Sequence, residues 1–277
     1  MELGQCEHLL LQRENGFLSI YFDRPHVRNA MNLEMVRELS RVLMAVSESD
    51  EIRAVILRGS GGHFCAGGDI KDMAAAADRS RHAEMGADED PFFELNRAFG
   101  DLLCLTDRLP QVVIAVLEGN VLGGGFGLAC VSDVALCHVE ARFGLPETGL
   151  GIPPAQIAPF VVRRIGLTQA RYLALTGLRF RGREALRLGL VHRVASDEAG
   201  LKAELEAVCE GIRHCGPQAN SVTKRLMLQV GQVPLETLLD DAARAFSSCI
   251  RGEEGQEGTR AFSQKRKPIW AEPPPSS

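Results

Sequence analysis

No stretch of this 277-residue chain approaches the ~18 to 20 consecutive apolar residues that a membrane-spanning helix needs, although 45% of it is hydrophobic. Its start, MELGQCEH, has neither a basic n-region nor a long apolar segment, so it does not read as a secretory signal. Positive charge is not in excess. A formal net charge of -5 gives no general electrostatic reason to bind nucleic acid, and an anionic ligand would have to find local basic patches. The turns GxSxG, GxGxxG and GxxxxGK are absent, which removes the serine hydrolase, Rossmann and P-loop readings. The eight cysteines, Cys6, Cys65, Cys104, Cys130, Cys137, Cys209, Cys215 and Cys249, form no CxxC pair, and several lie inside apolar runs. That pattern points to buried free thiols in a reducing compartment, with no metal site, and the expected location is cytoplasmic.

What is present is enough apolar residue for one large α/β domain with a helical appendage. Leu9 to Leu11 and Phe17 to Phe22 flank Asn15-Gly16, the signal for a hairpin. Leu33, Val36, Leu39, Leu43 and Val46 recur at helical spacing behind Asn32, a candidate N-cap. Ala54 to Arg58 and Val112 to Leu117 read as buried strands, and Pro91 opens a helix reaching about Arg108. Between Met73 and Pro91 the chain turns polar, as a mobile loop or loosely held helix would. Past Gly166 the pattern is helical, over 168–175, 182–188, 196–215, 217–230 and 234–249, with one short strand at 190–194.

Two glycine-rich turns carry the chemistry. The strand at Val112 runs into EGNVLGGGFGLACVSD, where Gly123, Gly124 and Gly125 precede small apolar residues. A strand that ends in glycines and opens a helix exposes free backbone N–H groups at a positive helix end, a setting suited to a developing oxyanion. The strand at Ala54 runs into GSGGHFCAGGDIKDM, where Gly67-Gly68 precede Asp69 at a helix start. Donors from separate turns could bind one carbonyl oxygen, as stabilising an enolate requires. Downstream, Glu147 follows a proline among Phe143, Leu145, Leu150 and Ile152, and desolvation there would raise its pKa toward that of an acid/base catalyst. Each signal also has an ordinary reading: glycine runs serve tight turns and close packing, and Pro-Glu is a common helix start.

Taken together, YFDRPHVRNAMN, HFCAGGDIKDM, GNVLGGGFGLACVSD, FGLPETGLGIPP and EGQEGTRAFSQKRKPIW resemble the enoyl-CoA hydratase/isomerase, or crotonase, superfamily over nearly the whole chain. The resemblance implies an α/β spiral of ββα units spanning 1–195 and a helical C-terminal oligomerisation region, 196–277, that builds trimers or dimers of trimers. It implies an acyl-CoA thioester as substrate, with coenzyme A as part of that substrate and no separate cofactor. By position, the N–H groups of Gly68 and Gly124 would form the oxyanion hole and Glu147 would be the catalytic acid/base. Ala30, Ala66, Gly68, Asp69, Ile70, Gly124 and Gly127 would surround the CoA ester. Arg24 and Arg28 fall where the family grips the adenine and phosphates. Lys265, Arg266 and Lys267 read either as partners for CoA phosphates or as a solvated end.

One position departs from the pattern. Many hydratases of the superfamily carry a second glutamate two residues after the glycine triplet, and here that residue is Gly127. A single carboxylate suits an isomerase. Gly127 with Ser132-Asp133 and GLGIPPAQIAPFVVRRIG, however, most resembles hydratases of branched glutaconyl-CoA esters, methylglutaconyl-CoA or isohexenylglutaconyl-CoA, in leucine/isovalerate or acyclic terpene catabolism. The expectation is a hydro-lyase in which the space left by Gly127 admits the substrate's branch or carboxylate. The alternatives are a one-glutamate isomerase and a non-catalytic acyl-CoA binding protein. His63 and His192 stand isolated and are expected to be structural or exposed.

Overall fold

The computed structural model describes residues 3–69 and 90–271. β1 (Leu9–Glu14) and β2 (Phe17–Phe22) pair antiparallel around Asn15 and Gly16, whose φ values of 50° and 79° meet the demand of a two-residue hairpin turn for left-handed backbone. From β2 the sheet continues in parallel through β3 (Ala54–Gly59), β4 (Val112–Leu117), β6 (Val134–His138) and β9 (Arg193–Ala195). α1 (Leu33–Ser47) makes the first crossover. Asn32 caps it, its side-chain oxygen accepting from the Met35 N–H at 3.0 Å, and Met35, Val36, Leu39, Val42, Leu43 and Val46 form its buried stripe. α2 (Pro91–Arg108) starts where expected because Pro91 suits the first turn and the Asp90 carboxylate accepts from the Phe92 N–H at 2.9 Å.

Both faces of the main sheet are covered, so its strands read as continuous apolar runs rather than alternating ones. Val55, Leu57, Val113 and Ala115 pack with α1 and with Leu102, Leu103 and Phe126 on one face. Their neighbours Ala54, Ile56, Ile114 and Val116 pack on the other with Leu201, Cys209 and Ile212 of α7 (Glu198–His214). Fully burying each such aliphatic side chain contributes about 1.5–3 kcal/mol. The helices after Ala195 thus begin by completing the sheet's second core.

A smaller sheet lies beside the first, formed by β5 (Asn120–Leu122), β7 (Arg142–Gly144) and β8 (Phe180–Arg181). Single parallel bridges between Cys65 and Val121 and between Met31 and Gly68 extend its line. Successive segments therefore alternate between the two sheets: β3 then Cys65, β4 then β5, β6 then β7. This is the α/β spiral of ββα units, visible as geometry although the sequence shows no repeat.

α3 (Gly124–Val131) follows β5, and α4 (Ala158–Ile165), α5 (Leu167–Thr176) and α6 (Gly182–Arg187) follow β7. The strand expected at 190–194 is shifted. Leu190 and Val191 are buried but unpaired as strand, because His192 satisfies Ala135 itself, its N–H donating to the Ala135 carbonyl and its Nδ1 accepting from the Ala135 N–H. Ladder pairing begins only at Arg193. α8 (Pro217–Leu228), α9 (Leu235–Arg251) and α10 (Glu253–Ser263) close the described chain. Arg53, just before β3, fastens this end to the sheet: its guanidinium donates to the carbonyls of Ile212, Arg213, Cys215 and Trp270 at 2.6–3.2 Å. No described helix is long and apolar enough to cross a membrane. The eight cysteines are free thiols. The polar segment after Met73 lies outside the described residues.

Candidate active site

Three neighbouring lines of the small sheet end at the same level. Cys65 bridges Val121, and Val121 pairs with Phe143. Three residues beyond the first two come Gly68 and Gly124, and four beyond the third comes Glu147. Successive turns of the spiral therefore deliver two glycines and a carboxylate to one end of adjacent parallel strands, the usual position for a ligand crevice in parallel sheets.

The two glycine turns touch. A Cβ on Gly123 would lie 3.5 Å from the Gly67 Cα, and one on Gly67 would lie 3.6 Å from the Leu122 carbonyl oxygen. Gly123 has φ 50° and ψ -115°, a conformation that only glycine adopts without strain. This kink turns the chain from β5 into α3 and leaves Gly124 in the first helical turn. The N–H groups of Gly68 and Gly124 have no acceptor among the described residues, whereas those of Gly67 and Gly123 are engaged by the Cys65 sulfur and the Gly144 carbonyl. Gly68 is exposed and Gly124 half-buried.

Glu147 begins a short 3-10 turn, Glu147–Leu150. Its Oε1 lies against Gly123, where an added Cβ would stand 2.7 Å away, while Oε2 is buried without a hydrogen-bond partner among the described residues. Desolvation pushes this carboxyl's pKa above the ordinary range, opposed only by its own backbone N–H. Cys65, in the same turn, is not a competing nucleophile, because burial pushes its thiol up to about 12.

The other expected site residues divide. Ala66 is half-buried, and its N–H donates to the Arg28 carbonyl. The Ala30 N–H donates to Val27 and its carbonyl accepts from Arg24 at 2.5 Å, so its backbone is engaged within the wall. Asp69 is buried and forms an ion pair with Arg24 at 2.9 Å. It fastens the loop 24–30 to the first glycine turn rather than presenting a free carboxylate. Arg28 and Asn29 in that loop have φ of 53° and 56°, and the buried Asn29 amide donates to the Ser60 and His63 carbonyls. Ile70 lies outside the described residues.

Gly127 requires a correction. It is buried on the core side of α3, and a Cβ there would overlap Ile157 Cγ2 and approach Leu103 Cδ1 at 3.5 Å. The space expected for a substrate branch is filled by apolar side chains. Gly127 packs against these side chains, so the open space expected at its Cβ position is not there. Both histidines are structural: His63 Nδ1 accepts from the Asn120 N–H at 3.1 Å, as His192 does from Ala135, and burial lowers the pKa of each. In the C-terminal basic cluster, Arg266 is held by Glu257.

The sequence places the lining of the acyl pocket around 73–99 and 152–162 without singling out a side chain, and the structure singles out Phe99 on α2, whose ring stands 3.1–3.5 Å from the Cβ position of Gly124. It walls the second glycine turn. The helical pattern of α2 was visible, but nothing in it marks which of its apolar residues faces α3.

Such an arrangement belongs to enzymes that polarise a carbonyl and move a proton next to it. Residues 12–273 match the model of the enoyl-CoA hydratase/isomerase family. A short-chain-enoyl-CoA hydratase of Clostridium acetobutylicum is 30% identical, with 95% of this chain and 97% of that protein covered. A peroxisomal Delta(3,5)-Delta(2,4)-dienoyl-CoA isomerase of Arabidopsis thaliana is 28% identical over 98% of this chain and 99% of its own length. Among solved structures, AtuE of Pseudomonas aeruginosa is 58% identical with a TM-score of 0.91, covering 96% of this chain and 100% of its own. An enoyl-CoA hydratase/isomerase from Marinobacter aquaeolei is 56% identical with a TM-score of 0.93 over the same shares. The chain belongs to the enoyl-CoA hydratase/isomerase family and is an enzyme with the crotonase fold.

Proposed function

We propose that the enzyme is a hydro-lyase adding water across the α,β double bond of a branched glutaconyl-type CoA thioester, methylglutaconyl-CoA or isohexenylglutaconyl-CoA, in leucine/isovalerate or acyclic terpene catabolism. The observation that carries hydration or proton transfer is the desolvated Glu147 carboxyl, whose buried Oε2 has no partner among the described residues, beside two N–H groups without acceptors among them. The thioester oxygen accepts from the Gly68 and Gly124 N–H groups. Glu147 takes a proton from water as the hydroxide adds to the β-carbon, and negative charge moves onto the thioester oxygen. Glu147 then returns the proton to the α-carbon, so atoms and charge balance with one carboxylate. Coenzyme A is part of the substrate and no further cofactor enters.

A second reading, isomerisation of an enoyl-CoA, is favoured by the packing at Gly127, because Ile157 leaves no room for a second carboxylate. There Glu147 would carry a proton from one carbon to another. Incubation with 3-branched glutaconyl-CoA and crotonyl-CoA followed by mass measurement separates the two: hydration adds the mass of one water, and isomerisation leaves the mass unchanged.

The enzyme works as a homo-oligomer, a trimer or dimer of trimers, in this reading. α9 supports it, since Leu235, Leu239 and Phe246 are 58–70% exposed while only Leu238 of that helix is buried. A cytoplasmic location agrees with eight free thiols.

A further inference from the structure

Cys65 is fully buried, and no step of the proposed reaction uses it. Burial raises its thiol pKa, and backbone hydrogen bonds from Gly67 and Gly125 oppose that rise only in part, so the sulfur stays protonated and unreactive. Its place in the fold gives it another use, because it stands between the two glycine turns. On one side the Gly67 N–H donates to Sγ at 3.3 Å, and the thiol donates back to the Gly67 carbonyl at 3.6 Å. On the other side a Cβ on Gly125 would stand 3.3 Å from Sγ and 2.7 Å from the Cys65 Cβ. The Cys65 backbone is fixed as well: its N–H donates to the Asn120 carbonyl at 2.9 Å, and its carbonyl accepts from the Leu122 N–H at 3.0 Å.

These contacts bear on the two oxyanion donors. A peptide unit is planar and trans, so the Gly67 carbonyl and the Gly68 N–H share one plane and point in opposite directions. The Gly67 carbonyl is held from two sides, by the Met31 N–H at 2.8 Å and by the Cys65 thiol. Holding it aims the Gly68 N–H. In the second turn the Gly123 carbonyl, which shares its plane with the Gly124 N–H, accepts from the Gly127 N–H at 3.0 Å. The next residue, Gly125, lies against the sulfur. One atom therefore adjoins the residue before the first donor and the residue after the second. We propose that Cys65 is a positioning residue, whose sulfur sets the spacing and the aim of the Gly68 and Gly124 N–H groups toward the thioester oxygen. The role uses the size of the thiol and its weak hydrogen bonds, not its reactivity. It rests on the oxyanion reading of these two glycines and deepens it.

The carbonyl stretch of a bound saturated ester, butyryl-CoA, reads the donor geometry without turnover, because hydrogen bonds from the two N–H groups lower its frequency. Difference infrared spectroscopy of the full-length protein should show this lowering in the unmodified enzyme and lose most of it in Cys65→Ala, with butyryl-CoA affinity nearly unchanged. In the same variant kcat for an enoyl-CoA should fall ~10-fold or more at nearly constant KM, since a misplacement of about 1 Å can cost ~10²-fold. Cys65→Ser keeps a small side chain that accepts from the Gly67 N–H and donates to its carbonyl, and it should restore most of the shift and of kcat. Gly125→Ala, whose methyl would crowd Cys65 from the other turn, should reduce both and is the second variant if Cys65→Ala does not fold. A carbonyl shift that survives these two substitutions, or a Cys65→Ser enzyme as impaired as Cys65→Ala, would overturn the positioning role alone. An unshifted carbonyl in the unmodified enzyme would overturn the oxyanion reading itself, and the positioning role with it.

Discussion

Ile157 Cγ2 occupies the position that a side chain on Gly127 would need. The absence of a second carboxylate is therefore built into the core, and changing Gly127 alone cannot restore it. Gly127→Glu should destabilise the protein by about 1–3 kcal/mol or more through overpacking, without raising crotonyl-CoA hydration. Thermal unfolding and turnover of Gly127→Glu, with and without Ile157→Gly, check this. A stable single variant with improved hydration would contradict the packing argument.

Replacing Glu147 by Gln removes the proton carrier and keeps the shape. A loss of kcat of at least ~10²-fold is expected, with affinity for an unreactive CoA ester nearly unchanged. Near-normal turnover would reject Glu147 as the acid/base group.

The same carboxyl links activity and stability to pH. Its folded-state pKa is raised above 4.5 by desolvation, so the neutral acid is the form the fold prefers. Its stabilising contribution is fully present below the ordinary carboxylate pKa and is lost as pH rises through the raised value. Glu147→Gln should therefore have a higher Tm than the unmodified enzyme at pH 7, and the difference should shrink to nothing below about pH 4. A difference independent of pH would refute the desolvated setting. In the unmodified enzyme, kcat/KM should fall on the acid side with a pKa above that of a free carboxylate.

Gly124→Val places branched carbons against the Phe99 ring, which stands 3.1 Å from the Cβ position, and obstructs approach to the Gly124 N–H. Transition-state stabilisation should drop by ~3 kcal/mol if one donor is lost. Steady-state kinetics on a variant of normal secondary structure decide this; full activity would place the donors elsewhere.

If α9 is covered by another copy, charging it should separate the copies. Leu239→Asp combined with Phe246→Asp should yield monomers in sedimentation, because neither side chain supports the subunit's own core. Unchanged sedimentation would show that this face is not the contact.

The elements with local causes were legible. Asn15-Gly16 dictated a turn, Asn32 capped one helix and Pro91 opened another, and uninterrupted apolar runs marked the sheet. The short strands β5, β7 and β8 were not, because two or three residues carry no readable period and their pairing is set by distant partners. At the site, glycine turns and the Pro-Glu step revealed Gly68, Gly124 and Glu147 as candidates. The partners of Gly127 and Asp69 were not legible for one reason: a residue's type does not disclose what faces it. Ile157 lies 30 positions from Gly127, and Arg24 lies 45 from Asp69.

Arg53 bears on how the enzyme comes to be made. Its bond to the Trp270 carbonyl joins residues 217 positions apart, and closing so long a loop costs chain entropy that local contacts do not. High contact order of this kind slows assembly. The hairpin and early crossovers can form while the chain is still emerging from the ribosome. The clasp cannot form until Trp270 has been synthesised, so this bond comes after the hairpin and the early crossovers, and a chain lacking it still has α7 to cover the sheet's second face.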